Sequence, residues 1–284
     1  MNIIDLHVHS TASDGTDSPT EVVKRAKDAG LCAFALTDHD TCAGLPKARK
    51  AAVQLGIELV NGIEFSCSST IGVSSGREIH MLGLFIDDNN AYFKEFLDTL
   101  TESRRKRNEQ MVHLLREAGF DISIDELYDT FGNVVITRAH FARLLLMKGY
   151  VNDIKKAFDR YLGDGCSCYV NRDRINPKTA IDMIHEAGGL AILAHPLLYN
   201  LNQGNVRELV EGLAKMGLDG VEAMYSTHSA GDEAFLKQLA KNNSLGYSGG
   251  SDYHGSNKPH IQIGIGRGGL RIGYHVLEQL KERL

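Results

Sequence analysis

The stretch IIDLHVHSTASDG, residues 3–15, sets the expectations for the whole chain. It begins as an apolar, strand-like run and then places His7 and His9 one residue apart, with Asp14 shortly after them. Alternate residues of a strand share a face, so both imidazoles can reach one ion. A single H-x-H pair is equally compatible with ordinary polar surface. Further donors elsewhere in the chain are therefore needed to distinguish a metal-binding site from ordinary polar surface.

A helix is predicted directly after this stretch. Ser18 and Glu21 form the S-x-x-E pattern of a capping box, and Pro19 occupies the first helical position. The donors of the opening stretch then lie between the end of a strand and the start of a helix. This is the place where parallel α/β folds carry their chemistry.

The alternation of strand-like and helical segments predicts an α/β fold. It runs through the first ~90 residues and resumes near residue 177, which is typical of βαβ units and a mainly parallel sheet. The segment between is charged and helical, without convincing strands. We therefore expect one domain in two parts, residues 1–100 and 172–284, interrupted by a helical cap insertion at 101–171.

Composition excludes several classes of protein. The chain of 284 residues is 43% hydrophobic and 24% charged, as in soluble globular proteins. A net charge of −5 and a pI near 6.2 exclude an overall cationic field that would gather long nucleic acid or a membrane surface. No signal peptide pattern and no apolar run of ~18 residues is present, so we expect a cytoplasmic protein. The five cysteines are odd in number and scattered, which predicts reduced thiols.

Nine nitrogen or oxygen donors end or closely follow strand-like runs, a pattern that indicates convergence on Zn²⁺, Mn²⁺ or Fe²⁺. They are His7, His9, Asp14, His39, Glu64, His80, His195, Asp252 and His254. Glu64 could bridge two ions, and the alternative for it is a salt bridge to a basic residue. Asp38 is predicted to orient a neighbouring ligand, since ligating histidines usually donate their other N–H to a carboxylate or carbonyl. His113, His185 and His275 lie in helical patterns and are not expected to be ligands, and His260 stays undecided.

Four blocks of this sequence resemble the PHP (polymerase and histidinol phosphatase) superfamily of metal-dependent phosphoesterases. They are DLHVHSTASDG, LTDHDT, GIEFS with EIHMLGL, and AHP with GGSDYHG. The segments ITRAHFARLLLMKGYV and AFDRYLGDG are further similar to the branch with nucleoside 3′,5′-bisphosphate phosphatase, a 5′–3′ exoribonuclease and phosphoribosyl 1,2-cyclic phosphate diphosphodiesterase. The resemblance implies a distorted (β/α)7 barrel with an inserted helical cap.

The resemblance also implies how the donors are shared among two or three ions. One ion would be held by His7, His9, Glu64 and Asp252, a second by Glu64, His80 and His195, and a third by Asp14, His39 and His254. Other branches commonly have histidine in place of Asp14. The added oxygen favours Mn²⁺, with Zn²⁺ or Fe²⁺ as alternatives.

Hydrolysis is expected to proceed by direct attack of metal-bound hydroxide. The sequence has no G-x-S-x-G elbow, no P-loop and no Cys–His signature that would indicate a covalent intermediate. The proton for the leaving group could come from His195, His228 or a metal-bound water. With Asp252, these two histidines are the predicted catalytic residues.

Substrate contacts are predicted in the insertion and after the last strand. Arg138 and Arg143 could grip a second phosphate, with help from His140 and Lys258, although solvated or paired side chains are the alternative. This predicts a small, ribose-type substrate: a phosphoribosyl 1,2-cyclic phosphate, hydrolysed first as diester and then as monoester, or a nucleoside 3′,5′-bisphosphate. The alternatives are a 5′–3′ exoribonuclease, the only case with a nucleic-acid partner, and a histidinol-phosphatase-like monoesterase. A non-enzymatic metal-binding module would have lost ligands, and none is missing here.

Overall fold

The computed structural model describes residues 2–72, 76–132, 134–171 and 174–284. Two compact units divide the chain. The first unit comprises residues 1–95 and 174–284, and the second comprises residues 96–173. The sequence-based boundaries, 101–171 for the insertion, differ from this division by a few residues.

Strands and helices alternate through the first part of the chain. The elements are β1 (Ile3–Val8), α1 (Pro19–Asp28), β2 (Leu31–Leu36), α2 (Leu45–Leu55), β3 (Glu58–Ser69) and β4 (Arg77–Leu84). The predicted capping box is confirmed, because the Ser18 hydroxyl accepts from the Glu21 N–H and the Glu21 carboxylate accepts from the Ser18 N–H. It fixes the start of α1 and with it the end of the loop that carries Asp14.

The second unit is helical. The long helix α3 (Ala91–Glu117) leads into it, followed by α4 (Ile124–Phe131), α5 (Arg138–Met147), α6 (Ile154–Ala157) and a π-helical turn at Phe158–Leu162. Its own apolar core includes Leu127, Phe141 and Leu145, each fully buried. In the part of 91–171 that the structure describes there is no strand, as the sequence predicts.

The alternation resumes after the helical unit. The elements are α7 (Pro177–Glu186), β5 (Leu190–Leu193), α8 (Gln203–Lys215), β6 (Gly220–Tyr225), α9 (Ala230–Asn242), β7 (Gly246–Gly250), β8 (Ile272–Gly273) and α10 (His275–Lys281). No helix among the described residues is long and apolar enough to cross a membrane. None of the five cysteines forms a disulfide bond with another described residue.

The strands form a nearly closed barrel with the order β7-β6-β5-β4-β3-β2-β1-β8. Strands β1 to β3 and β5 to β7 run parallel, whereas β4 is antiparallel to both of its neighbours. Only seven residues, 70–76, separate β3 from β4, too few for the crossover that parallel strands need. The barrel closes between the ends of β1 and β7. There the Asp252 N–H donates to the His7 carbonyl and the His9 N–H donates to the Tyr253 carbonyl, both at 2.9 Å. The predicted distorted α/β barrel is confirmed, and both β4 and the short β8 run antiparallel to their neighbours.

Candidate metal centre

The nine predicted donors meet at one end of the barrel. Most are carried there by parallel strands: His7 lies near the end of β1, and His195 and Asp252 follow β5 and β7 within two residues. His80 reaches the same end differently. It pairs with Ser66 in the β3–β4 hairpin, so the reversed strand brings its first half, and not its last, to the donors. Because the hairpin extends β3 to Ser69, Glu64 lies within this strand and does not end it as predicted.

Glu64 lies at the centre of the cluster, and five histidine nitrogens surround its carboxylate. Oε2 is 3.3 Å from His7 Nε2, 3.1 Å from His9 Nε2 and 3.2 Å from His39 Nδ1. Oε1 is 2.9 Å from His80 Nδ1 and 3.1 Å from His195 Nε2. Both oxygens thus face imidazole donors, the arrangement that a carboxylate bridging two cations requires.

A second carboxylate faces the other side of His9. Asp14 Oδ1 lies 3.2 Å from His254 Nε2 and 3.9 Å from His9 Nδ1, while its Oδ2 is 3.9 Å from His39 Nε2. The Nδ1–H of His254 donates to the Asp252 carbonyl at 3.0 Å. This bond assigns the lone pair of His254 to Nε2, on the side of Asp14.

The donor sets fit divalent cations. All nine residues belong to four overlapping groups in which the ligand atoms lie within 4.8 Å of one another. The groups are His9, Asp14, His39 and His254; His7, His9 and Asp252; His7, Glu64 and His195; and His39, Glu64 and His80. Among the described residues, the buried Nδ1 of His39, which faces Glu64 Oε2, makes no hydrogen bond, as expected for a nitrogen in a metal-binding cluster. Here His80 groups with His39, whereas the resemblance implied a set with His195, so the sharing of donors among ions stays a prediction.

Electrostatics keep the carboxylates ionised. Burial alone would raise the pKa of Glu64, Asp14 and Asp252, but the surrounding imidazoles, and Lys258 beside Asp252, hold all three pKa values well below the ordinary range. Burial also lowers the pKa of His9 well below its usual value, which keeps its ring neutral. Anionic oxygens beside neutral imidazoles are the protonation states that metal binding needs.

Two further histidines behave in the opposite way. Burial opposes protonation of His7, yet Glu222, Glu64 and Asp252 raise its pKa well above the ordinary value. Burial likewise opposes protonation of His80, but Glu64 and Glu78 raise its pKa to about 10. Without a metal ion, protons on these rings neutralise part of the negative charge.

Buried acids outside the donor groups hold the ligands in place. Asp38 accepts from the Ser10 N–H at 2.8 Å and from the Ser10 and Ser13 hydroxyls at 2.7 Å. Ser13 lies beside both His9 and Asp14. Asp38 thus orders the loop between β1 and α1 through two serines, whereas the prediction was that it would orient a ligating histidine directly.

Sequence reasoning missed two such acids, Asp5 and Glu222, which are fully buried. Asp5 accepts from the backbone N–H groups of His7, Ser251 and Gly264, and burial raises its pKa to about 6. The signal for both is an acid within an otherwise apolar strand run, IIDLHV and GVEAMY. Such an acid needs buried partners.

Of the remaining predicted residues of the barrel, Lys258 contacts Asp252, and His228 lies beside Tyr225, which also contacts Asp252. Its Oδ2 accepts from the Tyr225 hydroxyl at 2.6 Å and pairs with Lys258 Nζ at 2.5 Å. His228 donates from Nδ1 to the Ala223 carbonyl at 2.9 Å, and its ring lies 5.3 Å from that of Tyr225. The backbones of His195 and Asp252 have φ values of +28° and +58°, a strained conformation that concentrates at functional sites.

The other predicted substrate contacts lie in the helical unit. Arg138, at the start of α5, donates to Asp164 at 2.8 Å and lies over the Tyr169 ring at 5.5 Å. His140 is buried, and its Nδ1 accepts from the Thr137 N–H in the cap of α5. Arg143 lies 5.7 Å from the centre of the Phe131 ring. Outside the centre, His113, His185, His260 and His275 belong to no donor group among the described residues.

Comparison with known families decides the assignment, since the PHP domain family matches residues 5–164. The chain belongs to this family. A 5′–3′ exoribonuclease of Haemophilus influenzae is 41% identical to this PHP chain over 253 residues, 88% of this chain and 89% of that enzyme. A 3′,5′-nucleoside bisphosphate phosphatase of Chromobacterium violaceum is 35% identical over 266 residues, 93% and 91% of the two chains. A phosphoribosyl 1,2-cyclic phosphate 1,2-diphosphodiesterase of Eggerthella lenta is 32% identical over 263 residues, 91% and 97% of the two chains.

A solved structure supports the same assignment. A protein of Bifidobacterium adolescentis, described as a candidate metal-dependent phosphoesterase, matches with a TM-score of 0.86 and 26% identity and covers 99% of this chain and 96% of its own. The relatives are named as enzymes that cleave phosphate esters. This PHP chain is accordingly an enzyme of the phosphoesterase class that binds metal ions.

Proposed function

We propose that the nine-donor cluster is the active centre and that it hydrolyses phosphate esters of a small ribose-type substrate. The observation that carries the proposal is Glu64, whose carboxylate has five histidine nitrogens within 3.3 Å. Bound divalent ions would lower the pKa of water and neutralise the charge of the phosphate. Two or three ions are expected, and the oxygen of Asp14 favours Mn²⁺ over Zn²⁺ or Fe²⁺.

The chain's own residues would orient the ions and handle the proton. Asp252 is held from its outer oxygen by Tyr225 and Lys258, so that Oδ1 stays turned toward His7 and His9, 3.6 Å from each Nε2. His228 has a buried Nε2 with no hydrogen-bond partner in the described part of the chain. Since its Nδ1–H is engaged, a proton for the leaving alkoxide would be carried at Nε2, with His195 as the alternative donor.

The substrate class follows from the relatives and from the arginines of the helical unit. The named relatives act on a nucleoside 3′,5′-bisphosphate and on a phosphoribosyl 1,2-cyclic phosphate, and we propose these two as substrates of equal standing. Arg138, His140 and Arg143 are proposed to bind a second phosphate, and Lys258 to approach the phosphate held at the centre.

A second candidate is 5′–3′ exoribonuclease activity, favoured by the 41% identical relative. The basic run SRRKRNEQ on α3 offers it little support. Arg105 is paired with Glu102 at 2.8 Å and with Glu109 at 2.5 Å, and Arg104 and Arg107 are buried. An RNA track needs exposed cations and aromatic rings. We therefore place the small substrate first.

One panel separates these functions. Protein loaded with Mn²⁺ is assayed side by side on a 3′,5′-bisphosphate, the cyclic ribosyl phosphate, histidinol phosphate and a 5′-phosphorylated oligoribonucleotide. We expect phosphate release from one of the first two, loss of activity with EDTA and recovery with Mn²⁺. Full activity of the metal-free enzyme would rule out the metal centre, and hydrolysis of the oligonucleotide alone would establish the exoribonuclease.

The phosphate clamp is tested by Arg138→Ala. This variant should raise KM for doubly phosphorylated substrates more than for singly phosphorylated ones. Lys155→Ala is the matched control, because Lys155 is a cation of the same unit whose side chain is 83% exposed. Equal changes in KM for both kinds of substrate would argue against a clamp.

A further inference from the structure

Glu222, on β6, contacts two ligand residues although it belongs to none of the donor groups. Its side chain is completely buried. Oε1 lies 3.0 Å from Nδ1 of His7, and Oε2 accepts the backbone N–H of His195 at 2.8 Å. One carboxylate thus connects His7, within β1, to His195, which follows β5.

The contact with His7 fixes which nitrogen can bind a cation. A carboxylate accepts hydrogen bonds, so Nδ1 of His7 carries a hydrogen, and Nε2 is the nitrogen that would offer a lone pair to a cation after losing its own proton. Nε2 faces Glu64 Oε2 at 3.3 Å and Asp252 Oδ1 at 3.6 Å. Without Glu222, the ring could rotate or exchange its hydrogen to the nitrogen that faces the donors.

The contact with His195 holds a strained turn. The backbone of His195 has φ +28° and ψ 56°, outside the favoured regions for a residue with a side chain. Its buried N–H finds its acceptor in Glu222, and its ring then places Nε2 3.1 Å from Glu64 Oε1. Loss of the acceptor would leave a buried donor unpaired and release the turn.

We propose that Glu222 is a positioning residue that couples the donor group of His7, His9 and Asp252 to the group of His7, Glu64 and His195, so that two adjacent ion positions fill together. The inference rests on the proposed metal centre. Carboxylates that hold ligating histidines typically contribute about 10- to 100-fold to metal affinity. Because both ligand contacts come from one side chain, a change at Glu222 should affect both positions.

The barrel provides a matched control at the other end of the same strand. Asp219, directly before β6, also contacts a histidine and a backbone N–H, in this case through one oxygen: Oδ2 lies 2.7 Å from His185 Nε2 and accepts the Ala191 N–H at 2.8 Å. Neither His185 nor Ala191 belongs to a donor group among the described residues. Asp219→Asn therefore perturbs a partly exposed carboxylate–histidine pair of the same barrel without touching the proposed ligands.

The experiment compares wild type, Glu222→Gln and Asp219→Asn as full chains freed of metal with EDTA. Mn²⁺ is titrated and the free ion is followed by electron paramagnetic resonance, and melting temperatures are measured with and without Mn²⁺. In Glu222→Gln, we expect both tightest Mn²⁺ ions to bind about 10- to 100-fold more weakly and the Mn²⁺-dependent rise in melting temperature to shrink. Asp219→Asn should keep both near the wild-type values.

The outcomes separate the two proposals. A wild type without tight Mn²⁺ binding overturns the metal centre itself and the coupling with it. If the wild type binds but Glu222→Gln weakens one ion or none, the coupling alone is wrong. If Glu222 were purely structural, Glu222→Gln would lower the melting temperature equally with and without Mn²⁺, and this result would also overturn the coupling. If Glu222→Gln does not fold, Glu222→Asp decides, since it keeps the charge but is one methylene too short to span both contacts.

Discussion

Strands β7 and β1 lie close together at Gly250 and His7, and Gly250→Ala tests whether this spacing positions the metal ligand. Gly250 ends β7 and lies against β1. A methyl group on its Cα would lie 2.2 Å from His7 Cβ, 2.6 Å from His7 N and 2.8 Å from His7 Cα. Gly250 is not among the glycines with positive φ, so this contact alone explains the need for glycine.

The size of the effect follows from these distances. Carbon atoms pack at about 3.5–4.0 Å, so β7 and β1 must separate by more than about 1 Å at His7. Overpacking of this kind costs about 1–3 kcal/mol, and each kcal/mol lowers Tm by about 2–4 °C in a chain of somewhat smaller size. The shift also moves His7 within donor groups that span at most 4.8 Å, and Mn²⁺ affinity should fall at least about tenfold.

Thermal unfolding and Mn²⁺ titration of Gly250→Ala measure both effects. Gly269→Ala is the control, because a Cβ there meets no atom within 4 Å and its φ lies outside the left-handed region. It should leave Tm within a few degrees of the wild type and Mn²⁺ affinity unchanged. A Gly250→Ala protein with wild-type Tm and wild-type Mn²⁺ affinity would refute the reasoning, since the strands would then absorb the methyl group without moving the ligand.

Three further outcomes follow from the site. Burial opposes protonation of His80, but Glu64 and Glu78 raise its pKa to about 10, so Mn²⁺ must displace a proton at neutral pH. The affinity for Mn²⁺ should therefore rise with pH from 7 toward 10. Calorimetry in buffers of different ionisation enthalpy should detect the proton release. Asp38→Ala leaves buried donors unpaired and should lower the free energy of unfolding by about 2–3 kcal/mol, measured by chemical unfolding. A decrease of less than about 0.5 kcal/mol would contradict the role of Asp38 in the loop. Asp14→His replaces an oxygen ligand with nitrogen and should shift competitive metal binding from Mn²⁺ toward Zn²⁺, and an unchanged ratio would remove Asp14 from the metal centre.

The sequence predicts the parallel parts of the barrel well because their signals are local. The capping box at Ser18, the apolar runs and the helix lengths each act within a few residues of the element they specify. The sequence therefore predicts the donors after β1, β5 and β7 together with their strands. The antiparallel pairing of β3 and β4 is harder to predict. Its register depends on the hairpin that joins Glu58–Ser69 to Arg77–Leu84, and neither strand's sequence alone specifies that register.

The supporting acids were harder to predict than the ligands for a related reason. A donor at a strand end stands out as a polar residue after an apolar run, whereas Glu222 and Asp5 interrupt such runs. Each is stabilised by partners far along the chain: Glu222 by His7, 215 residues away, and Asp5 by the Gly264 N–H, 259 residues away. Propensity and periodicity carry no information at that separation.

The ionisable groups of the donor cluster offset one another's charge. Glu64, Asp14 and Asp252 stay ionised, a costly state for buried acids unless cations stand nearby. Protons on His7 and His80 provide such cations, since neighbouring carboxylates raise both pKa values despite burial. A bound metal ion would replace these protons. Glu222, beside His7, and Asp38, in the loop of His9 and Asp14, hold these ligands in position.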